Sequence, residues 1–307
     1  MSYYILKRVA LTVPMLLGIV ILVFMMVKLI PGDAVSAMQG QLKLSAEQMA
    51  SIRHALGLDQ PLYVQLGNYL LGLARGDLGR SLFGARPVRE LITANLPATI
   101  QLTIAGMLVA IVLGIPLGIF AALRQNTAWD VGATLVGLGG VSIPAFWLGL
   151  MLIQLFAVTL GWLPITGDRG LRGLIMPALA LGLAEAAIIT RLTRATLVEV
   201  LRTDYVRTAR AKGLADGGVV IGHALRNALL PILTMIGMQF GSLFGGAVII
   251  ENVFARQGIG TLVTQAVINR DFPVVQSCVL VAAALYVLVN LLVDVLYAVI
   301  DPRIKYS

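Results

Sequence analysis

Charged residues are scarce in this 307-residue chain: Asp, Glu, Lys and Arg make up 12% of it, whereas hydrophobic residues make up 58%. An ordinary soluble domain carries roughly 25% charged residues, so this composition excludes that class and indicates several membrane spans. The formal charge of +8 comes without a basic patch interleaved with aromatic residues. The excess of Lys and Arg is therefore assigned to the positive-inside rule, and no nucleic acid is expected as a partner.

Cysteine and histidine are almost absent. Cys278 is the single cysteine, which excludes a disulfide within the chain, and His54 and His223 lie far apart in the sequence. These residues do not have the spacing that metal-ligand motifs require. The sequence therefore predicts that this chain binds neither a metal nor another cofactor.

An ATP-binding P-loop is also lacking. That motif needs Lys followed by Ser or Thr, because the lysine reaches the phosphates and the hydroxyl holds Mg²⁺. The five lysines are followed by Arg, Leu, Leu, Gly and Tyr; they are Lys7, Lys28, Lys43, Lys212 and Lys305. The H-E-x-x-H and G-x-S-x-G motifs of hydrolases are missing too. The sequence thus predicts a protein that is not an enzyme.

Long apolar runs are what the sequence does have. Six of them are long enough to cross a membrane as helices: 9–30, 98–123, 131–160, 174–194, 228–250 and 276–300. The first exceeds the 7–15 apolar residues or so of a secretory signal, so we expect it to be retained. Pro144 in the third predicts a kinked helix or an interfacial extension. The predicted fold class is an all-α, polytopic integral membrane protein with six transmembrane helices.

Basic residues in the short loops predict the orientation. Lys7 and Arg8 precede the first span, and the loop after the fourth span is strongly basic, so both termini are expected in the cytoplasm. The long polar segment 31–97 then lies outside. It contains a predicted helix from Ser45 to Gly57, with Ser45 and Gln48 at capping-box spacing, a second helix near 61–76 and a turn at 76–84. This segment is either a connector or a docking surface for an extracytoplasmic partner.

One polar stretch, Thr203 to Pro231, interrupts the apolar second half of the chain. Gly213 divides it into two predicted helical runs, the second of which ends at Asn227. Its charged residues are Asp204, Arg207, Arg210, Lys212, Asp216 and Arg226. A basic, helix-forming segment between two spans is interpreted as a protein-docking element at the cytoplasmic face, with a solvated basic loop as the alternative.

Few ionisable residues fall inside the spans, where charges are costly and often functional. Glu185 lies in the fourth span, and Asp294 lies in the last, four residues after Asn290 and on the same helical face. We interpret the two carboxylates as interhelical hydrogen-bonding groups near helix ends. Substrate contact and proton relay are the alternatives.

Glycines recur four residues apart inside the spans, at 114 and 118, 237 and 241, and 241 and 245. This spacing favours close approach of helix backbones. The glycines near Gln239 and Ser242 also leave room for a pore. Gln239, Ser242, Asn290 and Asp294 are therefore candidate pore or gating residues.

The stretch DYVRTARAKGL at 204–214, followed by HALRNALLP at 223–231, resembles the cytoplasmic loop of bacterial ATP-binding-cassette (ABC) import permeases of the peptide/nickel class. Arg207, Thr208 and Ala209 stand where the general pattern has Glu-Ala-Ala, ahead of the matching Gly213. Other fragments match in order along the chain, among them GDLGRS (76–81), LPAT (96–99), SIPAFWLG (142–149), GGAVIIENVF (245–254) and RDFPVVQ (270–276).

The resemblance implies a type I ABC importer permease in the bacterial inner membrane. It implies four partner chains: a second homologous permease, two subunits that bind ATP and Mg²⁺, and an extracytoplasmic substrate-binding protein. It also implies that one segment is the helix coupled to the ATPase, consisting of Asp204, Tyr205, Val206, Arg207, Thr208, Ala209, Arg210, Ala211, Lys212, Gly213 and Leu214.

Two domains are predicted: 1–97, with the first span and the extracytoplasmic segment, and 98–307, a five-helix core with the coupling loop 195–227. The resemblance favours ATP-driven uptake of di- and oligopeptides through half of a heterodimeric pore. Uptake of nickel or a metal chelate is the alternative within the class. A secondary carrier driven by an ion gradient, with Asp294 or Glu185 as its coupling group, is the alternative outside it.

Overall fold

The computed structural model describes residues 2–29, 35, 45–55, 57–165 and 170–300. Its helices are α1 (Ser2–Leu29), α2 (Ala46–Ala55), α3 (Leu62–Ala74), α4 (Val88–Leu123), α5 (Ala128–Ser142), α6 (Ala145–Leu152), α7 (Arg172–Leu201), α8 (Asp204–Ala211), α9 (Leu225–Val253), α10 (Ile259–Asn269) and α11 (Phe272–Ile300). Within the described residues the only β pairing is an isolated bridge between Arg80 and Pro87. The predicted all-α class is confirmed.

Five of the described helices are long and apolar enough to cross a membrane, and they coincide with five of the six predicted spans. The remaining one, 131–160, is divided into α5, α6 and a π-helical continuation, Ile153–Thr159. Ile143 is extended (φ −87°, ψ 120°) because the ring of Pro144 disfavours a helical residue before it. The kink predicted at Pro144 is thus a complete break.

The chain divides into two compact units, and the larger one comprises Met1–Tyr4, Thr99–Arg256 and Val289–Ser307. Helix α7 lies at its centre: 67% of its most apolar window is buried, against 17–33% in the other four spans. It packs against α5, α6 and α9. Leu102, Ile189, Ile232 and Leu243 belong to the apolar cluster that these helices share with α4.

Glycines allow α4 and α7 to approach closely. A Cβ atom on Gly114 would lie 2.8 Å from the Cβ of Ile189, and one on Gly118 would lie 2.5 Å from the Cβ of Thr193. Real Cβ atoms do not come so near. The packing role predicted for this G-x-x-x-G pair is confirmed.

The second unit comprises Ile5–Ala98 and Gln257–Leu288. Its helix α2 begins with the predicted capping box: the Gln48 N–H donates to the Ser45 hydroxyl (3.2 Å), and the Ser45 N–H donates to the Gln48 side chain (2.9 Å). The apolar core of this unit lies between the start of α4, α10 and α11, and includes Val88, Ile259 and Val274.

The turn at 76–84 is fixed to the α10–α11 junction of the same unit. The Ser81 hydroxyl and the Leu82 N–H both donate to the Asp271 carboxylate, and the Ser277 hydroxyl donates to the Leu78 carbonyl (3.2 Å). The sequence fragments GDLGRS and RDFPVVQ therefore meet, although they are some 190 residues apart. The division into domains 1–97 and 98–307 stays a prediction.

Candidate functional site

Helix α8 begins directly after α7 ends. Thr203 is extended (φ −73°, ψ 154°), and its hydroxyl donates to the Val200 carbonyl at 2.6 Å, which ties the start of α8 to the last turn of α7. Beyond the other end, Gly213 has a φ of +79°, the left-handed conformation that glycine adopts without strain. The helix break predicted at Gly213 is confirmed.

The two faces of α8 differ sharply. Val206 is 0% exposed and Ala209 is 8% exposed, and both pack with Leu197 of α7, Ala122 of α4 and Val219. The side chain of Val206 is thus packed into the chain's own core, and this residue of the segment assigned to ATPase coupling is not available to a partner. The opposite face is exposed and polar: Asp204, Tyr205, Arg207, Thr208, Arg210, Ala211 and Lys212, with Gly213 and Leu214 beyond it.

Charges on the exposed face are loosely paired. The Arg207 guanidinium lies 3.5 Å from the Asp204 carboxylate, and that of Arg210 lies 3.2 Å from Asp216. Such exposed pairs contribute about 0.2–1 kcal/mol each, so either arginine can exchange its partner at little cost. The surface stays net positive and can accept an acidic protein surface.

The segment after Gly213 differs from the prediction. A helical turn (Asp216–Gly218) and a π-helical turn (Val219–Ala224) run directly into α9, which continues past Asn227 and Pro231 to Val253. The predicted end at Asn227 is wrong, because a proline within a spanning helix is tolerated where neighbouring groups satisfy the backbone. The Asn227 amide donates to the Tyr205 hydroxyl (2.8 Å), so the base of α9 holds α8 as well.

A partly buried ion pair fixes the end of α7 that leads into α8. The Arg194 guanidinium donates two hydrogen bonds to the Asp130 carboxylate at the start of α5, one of them 2.6 Å long, and Asp130 is 4% exposed. The bonds from Arg194, with one from the Asn126 N–H, hold the pKa of Asp130 below its ordinary value despite its burial. Sequence reasoning missed this pair, because periodicity carries no information about residues 64 positions apart.

Glu185 is buried between α7 and α9, and its Oε1 accepts a hydrogen bond from the Ser242 hydroxyl (2.8 Å). Its Oε2 has no hydrogen-bond partner among the described residues. The interhelical hydrogen bond expected for Glu185 is confirmed, but the residue lies in the middle of α7 rather than near a helix end.

The four candidate pore residues lie in different environments. Ser242 is on an exposed face of α9 that also presents Met238 and Ile249. Gln239 is 9% exposed, and its Nε2 lacks a partner among the described residues. Asn290 is half-buried on α11, whereas the side chain of Asp294 lies outside the described residues.

A second buried carboxylate was missed by sequence reasoning. Glu251 is 0% exposed and accepts a hydrogen bond from the Thr99 hydroxyl (2.6 Å). After Glu251 the chain turns, and the Arg256 guanidinium donates to Gln101 (2.6 Å). The hydrogen bond from Thr99 to Glu251 joins the fragments LPAT and GGAVIIENVF. The sequence signal that could have identified Glu251 is its acidic side chain within GGAVIIENVF, an otherwise apolar fragment that carries the family resemblance.

Comparison with known proteins agrees with this architecture. Residues 114–306 match the family described as the binding-protein-dependent transport system inner membrane component, and residues 1–103 match the N-terminal model of such membrane components. The chain belongs to this family. It is therefore a multi-pass permease of the inner membrane.

Similar permeases match over their whole length. The chain is 42% identical to the dipeptide transport system permease protein of Alkalihalophilus pseudofirmus and 42% identical to the di/tripeptide transport system permease protein of Pseudomonas aeruginosa. It is 45% identical to the glutathione transport system permease protein of Salmonella choleraesuis. Each match covers 100% of both chains.

Among solved structures, the permease resembles the MetNI methionine ABC transporter in an inward-facing conformation. The TM-score is 0.58 at 18% identity, and the match covers 69% of this chain and 96% of the other. At that identity the likeness concerns the fold alone. With the family match it confirms the type I ABC importer permease fold.

Proposed function

We propose that this permease forms half of a heterodimeric pore for ATP-driven uptake of di- and oligopeptides, and that α8 is the helix through which partner ATPases act on it. The observation that carries the proposal is the two-sided character of α8. On one face, Val206 and Ala209 are packed into the chain's own core. On the other face, the side chains of Arg207, Arg210 and Lys212 are exposed.

This geometry suits the transmission of force. Helix α8 is held at its start by Thr203 and Val200, along its length by the apolar cluster, and at Tyr205 by Asn227 of α9. A displacement of α8 by a partner therefore moves the ends of α7 and α9. Tyr205 and Leu214, which are 42% and 46% exposed, supply apolar contacts beside the charges, a combination common in protein interfaces.

The energy for transport comes from other subunits in this proposal. The chain has no lysine followed by Ser or Thr, so ATP and Mg²⁺ are assigned to two partner subunits at the cytoplasmic face. Both termini lie on that side, and segment 31–97 faces an extracytoplasmic substrate-binding protein. ATP binding then drives alternating access, in which the pore changes from inward to outward facing.

Peptides are the substrate that the relatives favour, since the three permeases above are named for dipeptides, di- and tripeptides and glutathione. Ser242 is the best placed of the candidate pore residues, because it is exposed on α9. Gln239, Asn290 and Asp294 remain candidates for the pore or its gate.

Reversal of one charge on α8 tests the coupling. We expect Arg207→Glu to reach the membrane in normal amount, because the side chain is 77% exposed, and to reduce ATP-driven uptake of a labelled dipeptide at least tenfold in proteoliposomes with the partner subunits. ATP hydrolysis measured in the same vesicles should no longer depend on the peptide-loaded binding protein.

Arg172→Glu is the matched control, since it reverses the charge of another exposed arginine that lies outside both α8 and segment 31–97. Its uptake should equal that of the wild type. Wild-type uptake by Arg207→Glu would refute the role of α8, whereas uptake without ATP in the unaltered complex would refute the ATP-driven mechanism.

A further inference from the structure

A cavity of about 670 Å³ lies in the second unit, at the end of α1. Phe24, Val27 and Lys28 contribute one wall, and residues of α3, of the turn at 79–82 and of the start of α11 contribute the others. Pockets that hold small ligands have volumes of roughly 300–1,000 Å³. The cavity is therefore large enough for a ligand, and none of the lining residues that the structure describes belongs to α8.

Positive charge dominates the polar lining. Lys28 and Arg80 both line the cavity, and none of its described lining residues is acidic. The Lys28 ammonium donates to the Gln65 side-chain oxygen (2.5 Å) and lies 5.5 Å from the centre of the Phe24 ring. The amide of Gln65 in turn donates to the Leu58 and Gln60 carbonyls (3.2 and 2.7 Å). The ammonium is thus held at the wall by a braced side chain, which favours an anionic ligand.

Tyr69 adds a buried hydrogen-bond donor to the same cavity. Its ring stacks on Phe24, with centroids 5.7 Å apart, and its hydroxyl is buried without a hydrogen-bond partner among the described residues. Burial raises the pKa of Tyr69, so the phenol stays protonated at neutral pH. A buried donor of this kind requires a partner, and an anion in the cavity would supply one.

The surface of α1 next to the cavity is apolar and uncovered. Ile21 and Met25 are each 40% exposed, and the α1 span is the least buried of the five, at 17%. These side chains lie seven and three residues before Lys28 and therefore on the same side of the helix. An anion that carries hydrocarbon chains would therefore contact apolar surface as soon as its charged group enters the cavity.

We propose that this cavity binds the phosphate group of an anionic phospholipid. Lys28 and Arg80 pair with the phosphodiester, the Tyr69 hydroxyl donates to it, and the acyl chains lie along the exposed side of α1. A free phosphate ion shares the charge chemistry, but it would not use the apolar surface. The site is independent of the transported solute.

Native mass spectrometry of the full-length chain in detergent tests the proposal, with phosphatidylglycerol, zwitterionic phosphatidylcholine and water-soluble glycerophosphate as probes. We expect phosphatidylglycerol to bind at least tenfold more tightly than the other two. Removal of one cation should weaken that binding about fivefold (Lys28→Gln or Arg80→Gln), and removal of both about 25-fold. Tyr69→Phe should weaken it about fivefold and leave the elution profile of the protein unchanged, because the lost hydroxyl has no described partner.

Arg89→Gln is the control, since it removes an exposed arginine of the same unit that does not line the cavity; its affinity should equal that of the wild type. Equal weakening by Arg89→Gln would show that only overall charge matters and would overturn the site. Binding of glycerophosphate as tight as that of the lipid would overturn the lipid assignment. Since neither ATP nor peptide is present, these outcomes do not depend on the proposed transport function.

Discussion

Gly213 is the residue on which the shape of the basic segment depends. Its φ of +79° lies in the left-handed region, and a Cβ atom placed there would meet nothing within 4 Å. A substitution is therefore opposed by backbone conformation and not by crowding. The cost is about 1–2 kcal/mol for a residue with a Cβ atom, enough to shift α8 relative to the segment that enters α9.

We predict that Gly213→Ala lowers ATP-driven peptide uptake by the complete transporter severalfold while its amount in the membrane stays normal. Gly217→Ala is the control, because that glycine is equally uncrowded and has no left-handed φ; it should transport like the wild type. Quantitative immunoblotting and uptake assays check both variants. Equal transport by the two variants would mean that the conformation at Gly213 does not matter for coupling.

At the scale of the helices, α4 and α7 approach each other closely at Gly118. A Cβ atom there would lie 2.5 Å from the Thr193 Cβ and 2.7 Å from the Thr190 carbonyl oxygen. Both neighbours are fixed, one at the branch point of its side chain and one in the backbone. The helices must therefore separate to admit even a methyl group.

We predict that Gly118→Ala destabilises the permease by about 1–3 kcal/mol, seen as a lower melting temperature in detergent by intrinsic tryptophan fluorescence. Gly132→Ala, in α5, serves as the control because nothing lies within 4 Å of its added Cβ atom. Alanine favours helix there, so its melting temperature should equal or exceed that of the wild type. An unchanged melting temperature for Gly118→Ala would show that the helices can separate freely.

The same scale shows what sequence alone could predict. Five spans, the capping box of Ser45 and Gln48 and the break at Gly213 depend on local composition and spacing, which the sequence contains. The predicted end of the second run at Asn227 is wrong because composition changes there, from the polar stretch to the apolar span that starts at 228, while the helix runs on without a break. The contacts of Glu251 with Thr99 and of Asp271 with Ser81 join residues about 150 and 190 positions apart, and periodicity cannot indicate such pairs.

For the whole molecule, the question is which source of energy drives transport. In the proposed mechanism ATP is bound by other subunits, whereas a carrier driven by protons would need an intramembrane carboxylate that gains and loses a proton. Glu185 is the described carboxylate best suited to that role, since it is 7% exposed and its Oε2 has no described partner. Its bond to Ser242 supports the structural alternative.

Glu185→Gln separates the two possibilities, because an amide keeps the oxygen that accepts the Ser242 hydrogen bond but cannot carry a proton between helices. We predict that peptide uptake by the complete transporter stays within about twofold of the wild type. Stability should not fall, because a neutral amide is easier to bury than a carboxylate. Glu185→Ala, which removes the acceptor, should lower stability by about 1–3 kcal/mol.

Uptake that is lost in Glu185→Gln at normal stability, or that collapses in the wild type when a protonophore is added with ATP present, would favour the proton-driven carrier. Uptake that persists under both conditions assigns the energy to ATP and leaves Glu185 as a bond between α7 and α9.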